Sequence, residues 1–351
     1  MPNNDLNTSN LPLCVDLDGT LIKTDSLHES VLQLLRQKAL YCIIGLSWAI
    51  KSKAYFKAKI TEHVQLSPKS LPYNEDIIKY IQSQPEERKI LLVTGANSEV
   101  AESIANHLNL FDEVLASNSE HNLTGRNKRQ FLVDLFGEKG FEYIGNDEID
   151  MSVWSSAGQV SVVSQDNSFL QQVRESFTIK EEFQLPSPSI RDYLKAIHIN
   201  QWITSLLVFL AFFIDHNLND TNAIFQLTLC FICLSFISSF THILNDLLNL
   251  GTHRLNNDKP HHPFASGLIS IKQAAILILL LSFCIIATIS FLSIPVIAIL
   301  TIYLAATLSY LLYFKKVTIL GKAVLAGLFS LIVLSGMVAI EAKWNLLAFS
   351  I

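Results

Sequence analysis

The pattern of apolar and polar positions divides this 351-residue chain into two halves. In the first half, short apolar runs recur and end in polar residues. LPLCVD (11–16), KILLVTG (89–95), FEYIGND (141–147) and AGQVSVVS (157–164) each have the length and content of a buried strand. The helix-like SEVAESIANHLNL follows the second run. Strands alternating with helices predict an α/β fold with a parallel sheet and functional groups at the strands' carboxyl ends. The second half holds five long apolar runs, at about 197–214, 222–244, 273–292, 294–314 and 318–340. Each is long enough to cross a bilayer as a helix, which predicts an all-α multi-pass bundle. The tail WNLLAFSI reads as the start of a sixth span.

Two stretches break the α/β rhythm. Within 27–70, ALYCIIGLSWAI (39–50) is apolar but short of the roughly 20 residues a span needs. Arg36, Lys38, Lys51, Lys53, Lys57 and Lys59 flank it. This helical insertion either lies on an anionic lipid surface or caps the α/β fold. Residues 165–195 read as a connector that includes the Pro/Ser-rich QLPSPSI.

Charge sharpens the split. Residues 1–195 carry 26 acidic and 19 basic residues, a net charge of −7, whereas residues 196–351 carry 5 and 7. Neither half has the basic field of a nucleic-acid binder. The first ten residues lack the basic and apolar regions of a signal peptide, so the first half is expected to stay in the cytoplasm. Arg254, Lys259 and Lys272 in one connection and Lys315, Lys316 and Lys322 in another agree with that side, and only Lys343 falls opposite. The expected location is the cell (inner) membrane. Cys230 and Cys233 lie in LTLCFICLSF, where small core residues are expected rather than a redox pair.

The first candidate chemistry is DLDGTL (16–21), at the end of the first apolar run. Of two carboxylates two residues apart, one can attack a phosphoryl group. The other can protonate the leaving oxygen. Thr94-Gly95 ends the second run and could hold a phosphate oxygen; Lys128 could neutralise transition-state charge. GNDEID (145–150) offers Asn146, Asp147 and Asp150, which with Asp16 are hard oxygen ligands suited to Mg²⁺.

In order and spacing these four segments resemble the motifs of the haloacid dehalogenase (HAD) superfamily. The resemblance covers about residues 11–165. It implies a Rossmann-like phosphohydrolase domain over 1–175 with a cap insertion at 27–70, and a linker at 176–195. Asp16 would be the nucleophile and Asp18 the acid/base, with Thr94 and Lys128 completing the catalytic set. Mg²⁺ would be held by Asp16, Asp18, Asn146, Asp147 and Asp150. The family's usual Gly-Asp is Gly145-Asn146 here. The implied substrate is a phosphomonoester.

The second candidate is NDLLNLGTHRLNNDKPHHPFASG (245–267), a polar stretch between two spans. Carboxylates at helical spacing could hold Mg²⁺ against the leaving group of an allylic diphosphate. With Gln201-Trp202 and Pro263 to Gly267, the stretch resembles the UbiA family of intramembrane prenyltransferases. The whole chain resembles a HAD–UbiA fusion similar to decaprenyl-phosphate phosphoribosyltransferase-like proteins. The implied partners are a polyprenyl phosphate or diphosphate and the lipid bilayer. Asn245 and Asp246 match the family motif; Asn249 and His253 stand where it has carboxylates, and His198, Thr204 and Ser205 where it has Arg and Lys-Asn. The membrane half (196–351) is therefore expected to be an incomplete UbiA-like bundle with a degenerate prenyl-diphosphate site. A zinc set of His253, His261, His262 and Asp258 is the alternative use of that loop. Three functions follow: a membrane-anchored phosphatase, an intramembrane prenyl or phosphoribosyl transferase, or an inactive scaffold.

Overall fold

The structure is a computed structural model and describes residues 11–37, 41–51, 53–117, 122–215, 220–255, 262–314 and 318–341. Asp258, Lys259, His261, Lys315, Lys316, Lys343 and the WNLLAFSI tail lie outside these. The chain forms two compact units, one from residues 1–189 with 248–271, the other from 190–247 with 272–351.

The first unit is built on six strands: β1 (Leu13–Val15), β2 (Ile90–Asn97), β3 (Glu113–Ser117), β4 (Glu142–Gly145), β5 (Gln159–Ser164) and β6 (Ile179–Gln184). All pair in parallel, in the order β3-β2-β1-β4-β5-β6. Side chains alternate across the sheet, so Leu13 and Val15 face one layer and Cys14 the other. On the first face lie Ile77 and Ile81, then Val100, Ala101 and Ile104; on the second, Leu132, Trp154 and Leu170. The chain therefore needs helices on both faces, as buried parallel sheets do. The region 165–195, expected to be a connector, instead carries a helix over Asn167–Ser176 and the edge strand β6.

The insertion forms three helices, α1 (Ser26–Gln37), α2 (Tyr41–Lys51) and α3 (Lys53–Thr61). They have a small core of their own: Leu34, Ile60 and Val64, with Leu27, Val31, Trp48 and Phe56 packed around them. A 3₁₀ turn at Pro68–Ser70 leads back toward the sheet. Helix α4 (Leu250–Leu255) and the loop at 262–270 belong to this unit. The loop approaches it closely. Gly267 has φ +76°, and a Cβ there would stand 2.9 Å from the Lys23 carbonyl oxygen, so only glycine fits.

Among the described residues of the second unit, four helices are long and apolar enough to cross a membrane. They are α5 (Thr221–Leu248), α6 (Ile271–Ile289), α7 (Ile294–Leu312) and α8 (Thr318–Ala339). The run 197–214 is not one straight helix. Its chain bends by 49° between Ile190–Ala196 and Ile199–Phe212, at His198, whose φ is +54°. Counted as one broken span, it makes five. Within the spans, hydroxyls turn back onto their own helix, as Thr228 to the Ile224 carbonyl, Thr288 to Cys284 and Thr301 to Ile297. That satisfies them where water is absent. Gly336 lets α8 pack against Val208, whose carbonyl oxygen would lie 2.3 Å from an added Cβ. Cys230 and Cys233 are buried in this core.

Candidate active site

β1 and β4 are adjacent although distant in sequence, and the strand order reverses between them. Such a switch point opens a crevice at the carboxyl ends, and Asp16 is the first residue past β1. Its N–H donates to the Ile144 carbonyl at 3.0 Å, which anchors it to β4. The chain then turns through Gly19 at φ +78°. A Cβ on Gly19 would stand 2.2 Å from Asn146 Nδ2, so this glycine is required by both backbone and neighbour. The Thr20 hydroxyl donates to Asn146 Oδ1 at 3.1 Å, orienting that amide. Asp18 accepts the Ser26 N–H at 2.7 Å, at the start of α1.

Lys128 is buried in the first turn of the helix Arg126–Phe136. Its ammonium donates to Asp16 Oδ1 at 2.6 Å and to the Tyr143 hydroxyl oxygen at 2.7 Å. The Tyr143 hydroxyl in turn donates to Asp150 Oδ1 at 2.8 Å. The other oxygen of Asp150 accepts the N–H groups of Asn146 and Asp147 at 3.0 and 3.2 Å. Asp150 is thus buried and holds the loop, while Asp147 is exposed. Thr94 is buried near the end of β2, its hydroxyl accepting the Ala96 N–H at 3.0 Å.

Burial, with Asp150 and Asp18 nearby, pushes the Asp16 carboxyl up to about 7 against the pull of Lys128. Burial and Asp25 push Asp18 up to about 6, opposed by the Ser26 hydrogen bonds and Lys57. Burial works against the Lys128 ammonium, but Asp16 and Asp150 outweigh it and raise its pKa. Three carboxylates thus share one fully buried ammonium, an excess of negative charge that a divalent cation would offset. Carboxylate and amide oxygens from Asp16, Asp18 and Asn146 are the hard donors Mg²⁺ prefers, so the residues fit that ion.

Two residues near this cluster carried no such role in the sequence reading. Tyr143 sits inside a strand-like apolar run, where a tyrosine reads as core. Lys57 was one of six bases flanking the insertion, yet its ammonium reaches the Gly95 carbonyl at 3.4 Å. For Lys57, the capping alternative therefore describes its contact.

The second candidate set divides between the units. Asn245 and Asp246 are buried on the last turns of α5. Asp246 meets His198 Nε2 at 2.6 Å, and His198 stacks on His242 with ring centroids 4.8 Å apart. His198 stands where the resembled family motif has arginine. Beside this pair, Trp202 Nε1 donates to Ser239 Oγ at 2.9 Å, and that hydroxyl donates to the Ile197 carbonyl at 2.6 Å. Asn249 and His253 lie in the first unit; Asn249 begins the turn into α4, and its carbonyl accepts the His253 N–H at 2.9 Å.

Residues 202–351 match the model of the UbiA prenyltransferase family. Over 342 residues the chain is 31% identical to the uncharacterized protein y4nM of Sinorhizobium fredii; the match takes in 97% of this chain and 65% of that protein's length. Among solved structures, a digeranylgeranylglyceryl phosphate synthase shares 22% identity at TM-score 0.39, over 43% of this chain and 53% of its own. A phosphoserine phosphatase in apo form shares 14% at TM-score 0.35, over 53% and 98%. A HAD family hydrolase from Salmonella enterica serovar Typhi shares 16% at 0.34, over 50% and 69%. Residues 202–351 are thus a domain of the UbiA prenyltransferase family, following in sequence a parallel-sheet unit.

Proposed function

We propose that the first unit hydrolyses phosphomonoesters through an aspartyl phosphate, and that the second holds it at the membrane. The observation that carries this reading is the Lys128 ammonium, 2.6 Å from Asp16 at the switch point of the sheet. Asp16 attacks phosphorus as its bond to the leaving oxygen breaks, and Asp18 gives its proton to that oxygen. Asp18, now ionised, takes a proton from water, which attacks the aspartyl phosphate, releases inorganic phosphate and regenerates Asp16. Lys128 and Thr94 bind phosphoryl oxygens, and Tyr143 and Asp150 keep Lys128 aimed. Asp16, Asp18 and Asn146 would hold Mg²⁺, with Asp150 and Asp147 shaping the loop that presents Asn146. When bound, the ion withdraws charge from the transferring phosphoryl group.

The apolar spans and the UbiA match make the chain a multi-pass membrane protein. The distribution of Lys and Arg favours a cytoplasmic first unit on the inner membrane. There the phosphatase would meet a polyprenyl phosphate or another phosphomonoester carried at the bilayer surface. The test is phosphate release by the full chain in detergent, with Mg²⁺, against a panel of phosphomonoesters. Turnover that needs Mg²⁺ and disappears in Asp16→Asn is expected; turnover unchanged in Asp16→Asn would overturn the reading.

A second reading is favoured by the His198–Asp246 contact: a transferase acting on a polyprenyl phosphate or diphosphate. It requires transfer that is lost in Asp246→Ala. The third, an inactive scaffold, falls if any Asp16-dependent turnover is found.

A further inference from the structure

The insertion α1–α3 joins the sheet through two chain segments. One runs from Asp18 through Thr24 into α1; the other is the 3₁₀ turn Pro68–Ser70 and the residues after it. These segments are stitched together by backbone, with Lys23 N–H donating to the Pro72 carbonyl at 2.8 Å and Asn74 N–H to Leu21 at 2.9 Å. At the same neck stands a buried guanidinium that neither segment supplies. It is Arg254, from α4.

Arg254 grips both sides of the neck. Nη1 and Nη2 donate to Glu29 Oε2 and Oε1 at 3.0 and 2.8 Å, a bidentate pair on α1. Nη1 also donates to the Ser70 carbonyl at 3.1 Å, and Nε to the Ala265 carbonyl at 2.8 Å within its own loop. Both side chains are almost wholly buried, at 8% and 7% exposure, so this is not a surface pair that water would screen. Glu29 in turn accepts the Thr24 hydroxyl at 2.9 Å, and the Thr24 carbonyl accepts the Gly19 N–H at 3.1 Å. One turn back on α1, the Ser26 N–H holds Asp18. A continuous chain of hydrogen bonds therefore runs from Arg254 to the Asp18–Gly19 turn.

We infer that Arg254 is a positioning residue for the phosphatase, acting through Glu29 and α1 on Asp18. This rests on the phosphatase reading above. The polar stretch between two spans is then a working part of the hydrolase. Lysine cannot replace Arg254, because a single ammonium cannot fork onto Glu29 while also reaching Ser70. Asp18 must meet the leaving oxygen in the right geometry, and displacement by about 1 Å can cost about 100-fold in rate.

The test uses the full chain with Arg254→Lys, Arg254→Ala and Glu29→Gln. Hydrolysis of p-nitrophenyl phosphate with Mg²⁺ is measured beside hydrogen exchange of the peptide covering Asp18 to Ser26. The expected result is kcat lower by about 10- to 100-fold with KM within about threefold, and faster exchange across that peptide. Should Arg254→Ala fail to fold, Arg254→Lys and Glu29→Gln decide. Wild-type kcat in these variants, with exchange unchanged, overturns the inference. So does a lower yield of folded protein whose kcat per folded molecule is unaltered, since that marks a purely structural pair. If the wild type itself shows no turnover, the phosphatase reading fails; the exchange result alone then reports whether Arg254 holds the Asp18 turn.

Discussion

At Asp16 two demands conflict. As the proposed nucleophile it must be ionised, yet its surroundings favour the proton, and burial lifts the carboxyl from 3.8 to about 7. A carboxylate raised on folding destabilises the folded state as pH rises, because the native protein holds the proton that the unfolded chain has already lost. In metal-free protein this loss develops between about pH 4 and pH 7. Asp16→Asn should therefore raise the unfolding temperature more at pH 7.5 than at pH 5, and an equal gain at both would refute the assignment. Tyr143 makes a different case. Tyr143→Phe keeps the ring but deletes the hydroxyl between Lys128 and Asp150, and kcat should fall by roughly 10-fold or more while the fold persists. Phosphate release by the purified variant, with a melting curve beside it, checks both halves. Asp16, Asp18 and Lys128 stand out as candidates in the sequence because their types and spacing mark them. Tyr143, Lys57 and Glu29 do not, since each has an ordinary reading as core, flank or helix surface until the fold brings it near the others.

At the scale of elements, legibility followed burial. The runs read as strands from the sequence are β1, β2, β4 and β5, the four inner strands, whose faces are both covered. β3 and β6 went unread because they are the edges. An edge strand keeps polar side chains toward water, as IKEEFQ does in β6, and so loses the continuous apolar signature. Glu142 explains how β6 is nonetheless held. This fully buried carboxylate on β4 receives Arg88 at 2.5 Å and Lys180 of β6 at 2.7 Å, with Tyr80 and Ser161 hydroxyls at 2.9 and 3.0 Å. Burial pushes its pKa up, but the hydrogen bonds from Arg88 and Lys180 win and hold it below 4.5. Its contribution is therefore present above pH 4.5 and lost as pH falls through the lower folded value. Arg88→Ala leaves the carboxylate buried with too little compensation, which should cost about 3–5 kcal/mol. Urea unfolding of the first unit, followed by pulse proteolysis, should show the lower midpoint; an unmoved midpoint would show that Lys180 and the hydroxyls suffice.

At the scale of the whole molecule, membership of the first unit decides a count. Residues 1–189 and 248–271 share one compact body, so both must lie on the same side of the bilayer. The chain between them must then cross an even number of times. If helix α5 crosses once, the bent segment 190–212 should cross as well, which makes five spans among the described residues rather than four. Positive charges at Arg254 and Lys272 point to the same side as the amino-terminal half. In a background with the native cysteines replaced, Glu87→Cys and Leu255→Cys should react with an impermeant thiol reagent from one side and Asp220→Cys from the other. Labelling of positions 87 and 220 from the same side would remove the bent span. From the sequence, the first unit reads as one contiguous stretch, because apolar periodicity reports which residues are buried but not which distant segment buries them.

The placement of α4 and its loop also sets an order in time. A ribosome that has finished residue 189 has made the whole sheet but not the segment carrying Arg254, which follows two membrane crossings. The neck of the insertion can close only after those helices have entered the bilayer and returned the chain to its starting side. The first unit thus completes its fold only after those spans have been made. A copy that stalls before insertion lacks the Arg254 guanidinium that pairs with Glu29, so its neck should open more readily and be cut sooner by proteases.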